Sequence, residues 1–131
     1  MKLYFSASLF AVAMIASASL ARAEANCAND DHYPLVQKKD LQKWVKEQKV
    51  FVIDVNSDES FKAHHVPNAI HYSEHKNDLA SLLPKDKNAM IVTYCGGPKC
   101  EAWKTAAEAA CNLKYTQIYH FKDGISGWIK N

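Results

Sequence analysis

Arginine is almost missing from this chain: Arg22 is the sole one among 131 residues, and it lies close to the amino terminus. Beyond it no planar guanidinium fork is available to clamp an oxyanion or phosphate through two hydrogen bonds. Long apolar runs are missing too. The best of them, residues 9–15, is too short to cross a bilayer comfortably. Lys2 precedes that run and Ala21-Arg22-Ala23 follows it, so residues 1–23 read as a secretory signal peptide with an A-x-A cleavage site. Cleavage after Ala23 fits best, with Ala25 as the alternative. Setting Lys2 and Arg22 aside from the 16 basic residues leaves them equal in number to the 14 acids. A formally neutral domain carries no nucleic-acid footprint, and no membrane association is expected once the signal is removed. There is no internal repeat or low-complexity tract. Six histidines are present; His71 and His75 are four apart, but His71 falls in a stretch that reads as strand, not helix, so no metal or other cofactor is expected.

What is there begins with a small, polar, acidic lead-in, residues 24–32, which carries Cys27. Tyr33-Pro34-Leu35-Val36 suits a short edge strand, where proline is tolerated. From Lys38 the spacing turns helical, with Leu41, Trp44, Val45 and Gln48 on one face and Lys38, Lys39, Lys43 and Lys46 on a solvated one. Val50-Phe51-Val52-Ile53-Asp54-Val55 is a continuous apolar run with one acid, the pattern of a strand covered on both faces. Ser57 is placed to cap a short helix through Phe61. Ala69-Ile70-His71-Tyr72 reads as a brief strand, and Leu79, Leu82 and Leu83 as a small helix stopping before Pro84. Residues 89–94 form the next strand, residues 100–112 a helix rich in alanine, and residues 116–121 an alternating strand. Asp123-Gly124 then turns the chain into a last helix with Ile125, Trp128 and Ile129. Strands alternating with short helices predict one α/β domain over residues 33–131 with a mostly parallel sheet.

The chemistry converges on Ile91-Val92-Thr93-Tyr94-Cys95-Gly96-Gly97-Pro98-Lys99-Cys100-Glu101-Ala102. A β-branched run drives into a cysteine, two glycines and a proline break the strand, and a helix follows. This places the Cys95 thiol beyond the carboxyl end of a strand, among backbone N–H groups and near the positive end of a helix dipole. Both features favour the nucleophilic thiolate. Gly96 and Gly97 let that backbone approach an anion closely, and Gly96, Gly97, Pro98, Lys99, Cys100 and Glu101 make up the candidate anion-binding loop. Lys99 either adds a point charge for an anionic donor or is a solvated lysine on a loop tip. Glu101 suits a helix start but would repel a dianion.

Three segments, in order, resemble the single-domain rhodanese family of sulfurtransferases. The first is Ile53-Asp54-Val55 with Phe61 and His65-Val66-Pro67-Asn68-Ala69-Ile70; the second is the Cys95 loop; the third is Asp123-Gly124-Ile125-Ser126-Gly127-Trp128. The resemblance implies a three-layer fold with a small, mostly parallel five-stranded sheet flanked by helices. It also implies that Cys95 accepts a sulfane sulfur as a persulfide and passes it to a thiol or other acceptor. His65 matches a histidine that looks structural. The departures are Cys100 and Glu101 where many members have arginine and Ser or Thr, Asn56 where arginine is usual, and His64 and Asn68 in place of glycines. Without those arginines, efficient use of thiosulfate is not implied.

Cys27, Cys95, Cys100 and Cys111 all follow the signal, and an even count in an exported chain raises the prospect of disulfides. If residues 100–112 are helical, Cys100 and Cys111 lie about 16 Å apart and cannot pair. Cys95 and Cys100 are close enough for a modest loop rearrangement to join them. Cys100 is then a resolving thiol for Cys95, half of a redox-active disulfide, or a small half-buried residue. Three functions stay open: an exported sulfurtransferase, a periplasmic thiol–disulfide protein working with a redox partner, and a catalytically silent binding module. The expected partners are a small sulfur-containing donor and a thiol acceptor, and the expected location is the periplasm or the outside of the cell.

Overall fold

The β-branched runs decide the sheet. The computed structural model describes residues 33–131, so the signal reading, the lead-in and Cys27 lie outside the described residues. Four strands pair in parallel in the order β2-β1-β3-β4: β1 Val50–Asp54, β2 Ile70–His71, β3 Met90–Tyr94 and β4 Gln117–His120. The register sets Asp54 beside both His71 and Tyr94, and Thr93 beside His120.

The fifth strand expected around Leu35 is reduced to one bridge, Leu35 to His120. His120 N–H donates to Pro34 O at 2.9 Å, and Val36 N–H donates to His120 O at 3.0 Å. Pro34 has no N–H to extend the ladder towards the amino terminus, and after Val36 the chain turns into helix.

Among the described residues six helices connect and cover the strands: α1 Lys38–Lys46, α2 Asp58–Ala63, α3 Tyr72–His75, α4 Leu79–Leu82, α5 Trp103–Asn112 and α6 Gly124–Trp128. Alternation along the strands sends side chains to two cores. Ile53, Ile91 and Ile118 pack under α5 and α4, against Trp103, Ala106, Ala107, Ala110, Leu79 and Leu83. Val52, Val92 and Tyr94 face the other way, towards Leu41 of α1, Val66 and Ile125 of α6. Ala106, Ala107 and Ala110 of α5 are fully buried, which lets the helix lie close to the sheet and makes any larger residue at these positions cost about 1–3 kcal/mol.

Local signals explain most boundaries. Ser57 Oγ accepts from Ser60 N–H at 3.3 Å and starts α2, as its residue type predicts. Two expectations for α1 change. Gln48 lies past the helix end, exposed, with φ +56°, instead of on the buried face. Lys38 does not belong to the solvated face: its Nζ donates to Gly127 O at 3.1 Å and to Lys130 O, tying α1 to the end of α6. Asn68 adopts φ +63°, which asparagine tolerates better than most residues.

Candidate functional site

β1 and β3 are neighbours, so the segments that leave their carboxyl ends lie side by side; Val55 N–H donates to Tyr94 O at 3.0 Å as they part. Cys95 follows Tyr94 and is only 2% exposed. Its sulfur is bonded to Cys100, with the two Cα atoms 6.3 Å apart. The thiol expected to stand exposed on the loop is therefore covered in this state, while Cys100 is half-buried and Pro98 and Lys99 form the exposed tip. Cys100 N–H donates to Gly97 O at 3.1 Å and closes the turn. With Cys100 held there, α5 begins at Trp103, three residues later than the sequence predicts. Cys111, on α5, is disulfide-bonded as well.

The loop is hung on α6. Ile125 N–H donates to Cys95 O at 2.9 Å and Ser126 N–H donates to Gly96 O at 3.0 Å. Gly124 makes this possible. It sits at φ +58°, and a Cβ on it would come within 2.5 Å of Cys95 O and 2.7 Å of Gly96 C and Gly97 N. A Cβ on Gly97 would stand 2.9 Å from Ser126 Oγ, whereas one on Gly96 would meet only Asn56 Oδ1, at 3.7 Å. Close approach thus requires glycine at 124, where backbone atoms stand in the way; at 97 only the Ser126 hydroxyl must turn aside, and at 96 the space is open. The Asp-Gly pair at 123–124 was a turn signal in the sequence, but nothing in the spacing marked it as the seat of the cysteine loop.

Behind the loop lies a buried polar network. Asp54, fully buried, accepts from Tyr94 OH through Oδ2 and from Asn56 N–H through Oδ1 at 2.7 Å. Tyr94 OH accepts in turn from Val66 N–H at 3.0 Å. Burial, reinforced by the bond to Asp54, pushes the Tyr94 hydroxyl far above its ordinary range, so it stays a donor. His71 is buried and its Nε2–H donates to Asn56 O at 2.9 Å. Phe61 stacks on His71 and on His65, whose Nδ1–H donates to Phe61 O at 2.7 Å. An acid inside an apolar strand needs a donor, and Tyr94, the neighbour of Cys95, was the available one; that signal was readable.

Three polar atoms in this region are buried with no hydrogen-bond partner among the described residues: Asn56 Nδ2, His71 Nδ1 and Thr93 Oγ1. Two grooves open on either side of Pro98. One, of about 390 Å³, is lined by Lys38, Asp123, Ser126, Gly127 and Lys130. The other, of about 240 Å³, is lined by Glu101, Trp103, Lys104, His120 and Lys122. A roomier hollow of about 520 Å³ lies at the amino end of β1, beside Val50 and Leu82, away from the cysteines. Glu101 is exposed and paired with Lys104 at 2.8 Å, and the bond to Lys104 holds its carboxyl below the usual range. His120 stacks on Trp103 with ring centroids 3.7 Å apart. Burial pushes its imidazole down to about 4, with Lys122 and Lys104 adding to the effect and Glu101 opposing it. His120 is accordingly neutral at pH 7. Sequence patterning had cast it only as a strand residue.

Among the described residues no cluster of three or more His, Cys, Asp or Glu side chains is placed to hold a metal ion, and no helix is long and apolar enough to cross a membrane. Comparison with known proteins points one way. No curated protein matches the chain. Among solved structures, the BH2092 protein of Bacillus halodurans is 28% identical, with a TM-score of 0.53 over 72% of this chain and 70% of its own. A rhodanese-related protein of Thermoplasma volcanium is 21% identical, with a TM-score of 0.54 over 74% of this chain and 91% of its own. The human single-domain sulfurtransferase TSTD1 is 20% identical, with a TM-score of 0.57 over 73% of this chain and 95% of its own. These last two speak for the fold alone. The model of the rhodanese-like domain matches residues 37–131, and with that span this chain belongs to the rhodanese-like domain family.

Proposed function

We propose that this protein is an exported sulfurtransferase in which Cys95 accepts a sulfane sulfur atom and hands it to a thiol acceptor. The observation that carries the reading is the seat of Cys95: the carboxyl end of β3, in a six-residue loop whose carbonyls are fixed by α6 and whose tip faces two open grooves. In the reduced protein the Cys95 thiolate attacks the outer sulfur of the donor. The bond from that sulfur to the rest of the donor breaks, and the leaving group departs with the electron pair, leaving a persulfide on Cys95. An acceptor thiolate then attacks the outer sulfur and returns Cys95 as thiolate.

The Cys95–Cys100 disulfide favours a second use of the same loop. A Cys100 thiolate that attacks the inner sulfur of the Cys95 persulfide expels hydrosulfide and forms the disulfide. The transferred sulfur is thereby reduced and the two cysteines oxidised. A dithiol on a partner protein restores the pair by exchange, entering at Cys100 because that sulfur is the more accessible of the two.

Intact mass spectrometry of the reduced protein after exposure to thiosulfate and to organic persulfides tests both steps. The expected result is one added sulfur on the Cys100→Ser variant, none on Cys95→Ser, and a disulfide plus released sulfide from the unaltered protein. Addition of sulfur to Cys95→Ser as readily as to Cys100→Ser overturns the assignment.

A further inference from the structure

Asn56 stands beyond the carboxyl end of β1 with its side chain against the cysteine loop, its Oδ1 3.7 Å from where a Cβ on Gly96 would be. Its backbone is fixed at both ends. The N–H donates to Asp54 Oδ1 at 2.7 Å, and the carbonyl accepts from His71 Nε2–H at 2.9 Å. The side-chain Nδ2 of this well-anchored residue is nevertheless buried without a hydrogen-bond partner among the described residues. An unsatisfied buried donor costs about 1–3 kcal/mol, so its retention beside a reactive loop asks for an acceptor that is present in another state.

No backbone carbonyl among the described residues bonds to it, and four carbonyls of the strand end and loop are already engaged. Tyr94 O accepts from Val55 N–H, Cys95 O from Ile125 N–H, Gly96 O from Ser126 N–H, and Gly97 O from Cys100 N–H. The disulfide sulfurs are poor acceptors. The acceptor that cleavage of the disulfide creates is a sulfur anion, and Cys95 carries it when an incoming thiolate attacks Cys100: the new bond forms to Cys100 Sγ, the Cys95–Cys100 bond breaks, and Cys95 leaves with the electron pair.

We propose that Asn56 is a donor held in reserve for the open site, its side-chain N–H bonding to the Cys95 thiolate once the Cys95–Cys100 disulfide is cleaved. Asn56 is thus a positioning residue that makes the disulfide easier to reduce and the Cys95 thiol more acidic. It also favours the same sulfur as a leaving group. The charged and titratable neighbours stay the same in every variant: Asp54, His71 and Tyr94 behind Asn56, Glu74 and Asp58 around His71, Lys99 and Glu101 on the loop, and Lys122 and Asp123 on the closing turn.

The test compares the unaltered protein with Asn56→Leu and Asn56→Asp. The alkylation rate of Cys95 in the reduced protein is followed against pH by peptide mass mapping. The disulfide equilibrium is measured in glutathione buffers. The expected result for Asn56→Leu is a roughly tenfold shift of the glutathione equilibrium towards the disulfide and an alkylation midpoint about one pH unit higher. Its oxidised form should unfold no sooner than the unaltered protein, because an unpaired donor has been removed. Asn56→Asp, which replaces the donor with an acceptor of the same size, should raise the midpoint further; it also carries the test should the leucine variant fail to fold. Midpoints and equilibria that match the unaltered protein in both variants overturn the proposal. The inference rests on Cys95 being the reactive sulfur, as above, but neither readout involves sulfur transfer. A protein that takes up no sulfane sulfur can still show both shifts.

Discussion

Asp54 and Asn56 are two residues apart at one strand end, and the fold treats their side chains in opposite ways. Asp54 is sealed, with Tyr94 OH on one oxygen and the Asn56 N–H on the other. Asn56 has its backbone satisfied on both sides and its side-chain amide left buried and unpaired. The first arrangement holds strands together and orients Tyr94 just before the cysteine. The second leaves a buried side-chain donor unmet in a residue that stands against the cysteine loop.

The largest perturbation should come where the two regions share a support. Gly124→Ala adds a Cβ 2.5 Å from Cys95 O at a positive φ, so a loss of about 3 kcal/mol or more is expected in urea unfolding, together with faster alkylation of a loosened Cys95 in the reduced protein. Loss of stability with unchanged loop reactivity would show that α6 does not set the loop. Next is the sealed side by itself. Tyr94→Phe strands both Asp54 Oδ2 and Val66 N–H in the interior, which should cost about 2–3 kcal/mol with little change in the disulfide equilibrium. A large redox effect would erase the division drawn above.

His120 allows a pH test on the groove beside Cys100. An unfolded imidazole takes up its proton near 6.5, the folded one only near 4. Between those values the unfolded state binds more protons, so stability should fall as the pH drops through that window, by on the order of 2 kcal/mol. The corresponding slope should be missing in His120→Gln; an identical slope would assign it elsewhere. The smallest effect belongs to Gly96→Ala. A methyl there meets only Asn56 Oδ1 at 3.7 Å, so the change should cost less than about 1 kcal/mol, far below Gly124→Ala.

Much of this was readable from residue order. The apolar run to Asp54, the β-branched run into Cys95, the Gly-Gly-Pro break and the Ser57 cap all report backbone preferences that tertiary packing left in force. The failures share a cause: each depended on a distant partner. Leu35 forms a bridge instead of a strand because its pairing, among the described residues, is with His120, 85 positions on, and Pro34 has no N–H to extend the ladder. Lys38 leaves the solvated face because Gly127 and Lys130 offer carbonyls from the far end of the chain. α5 starts late because Cys100 is bonded back to Cys95. Asn56 stood in the sequence only as a departure from a family pattern; its unpaired amide is a property of the assembled loop, which no periodicity encodes.

The two cysteines of the loop are five positions apart. Closing so short a ring removes about 2 kcal/mol of chain entropy from the unfolded state, well short of the roughly 5–15 kcal/mol that holds a typical domain together. Little of the protein's durability is therefore vested in this bond, and opening it leaves the four strands, their two cores and the disulfide of Cys111 in place. Under the proposed chemistry, the cross-link would open and close without asking the scaffold around it to change shape.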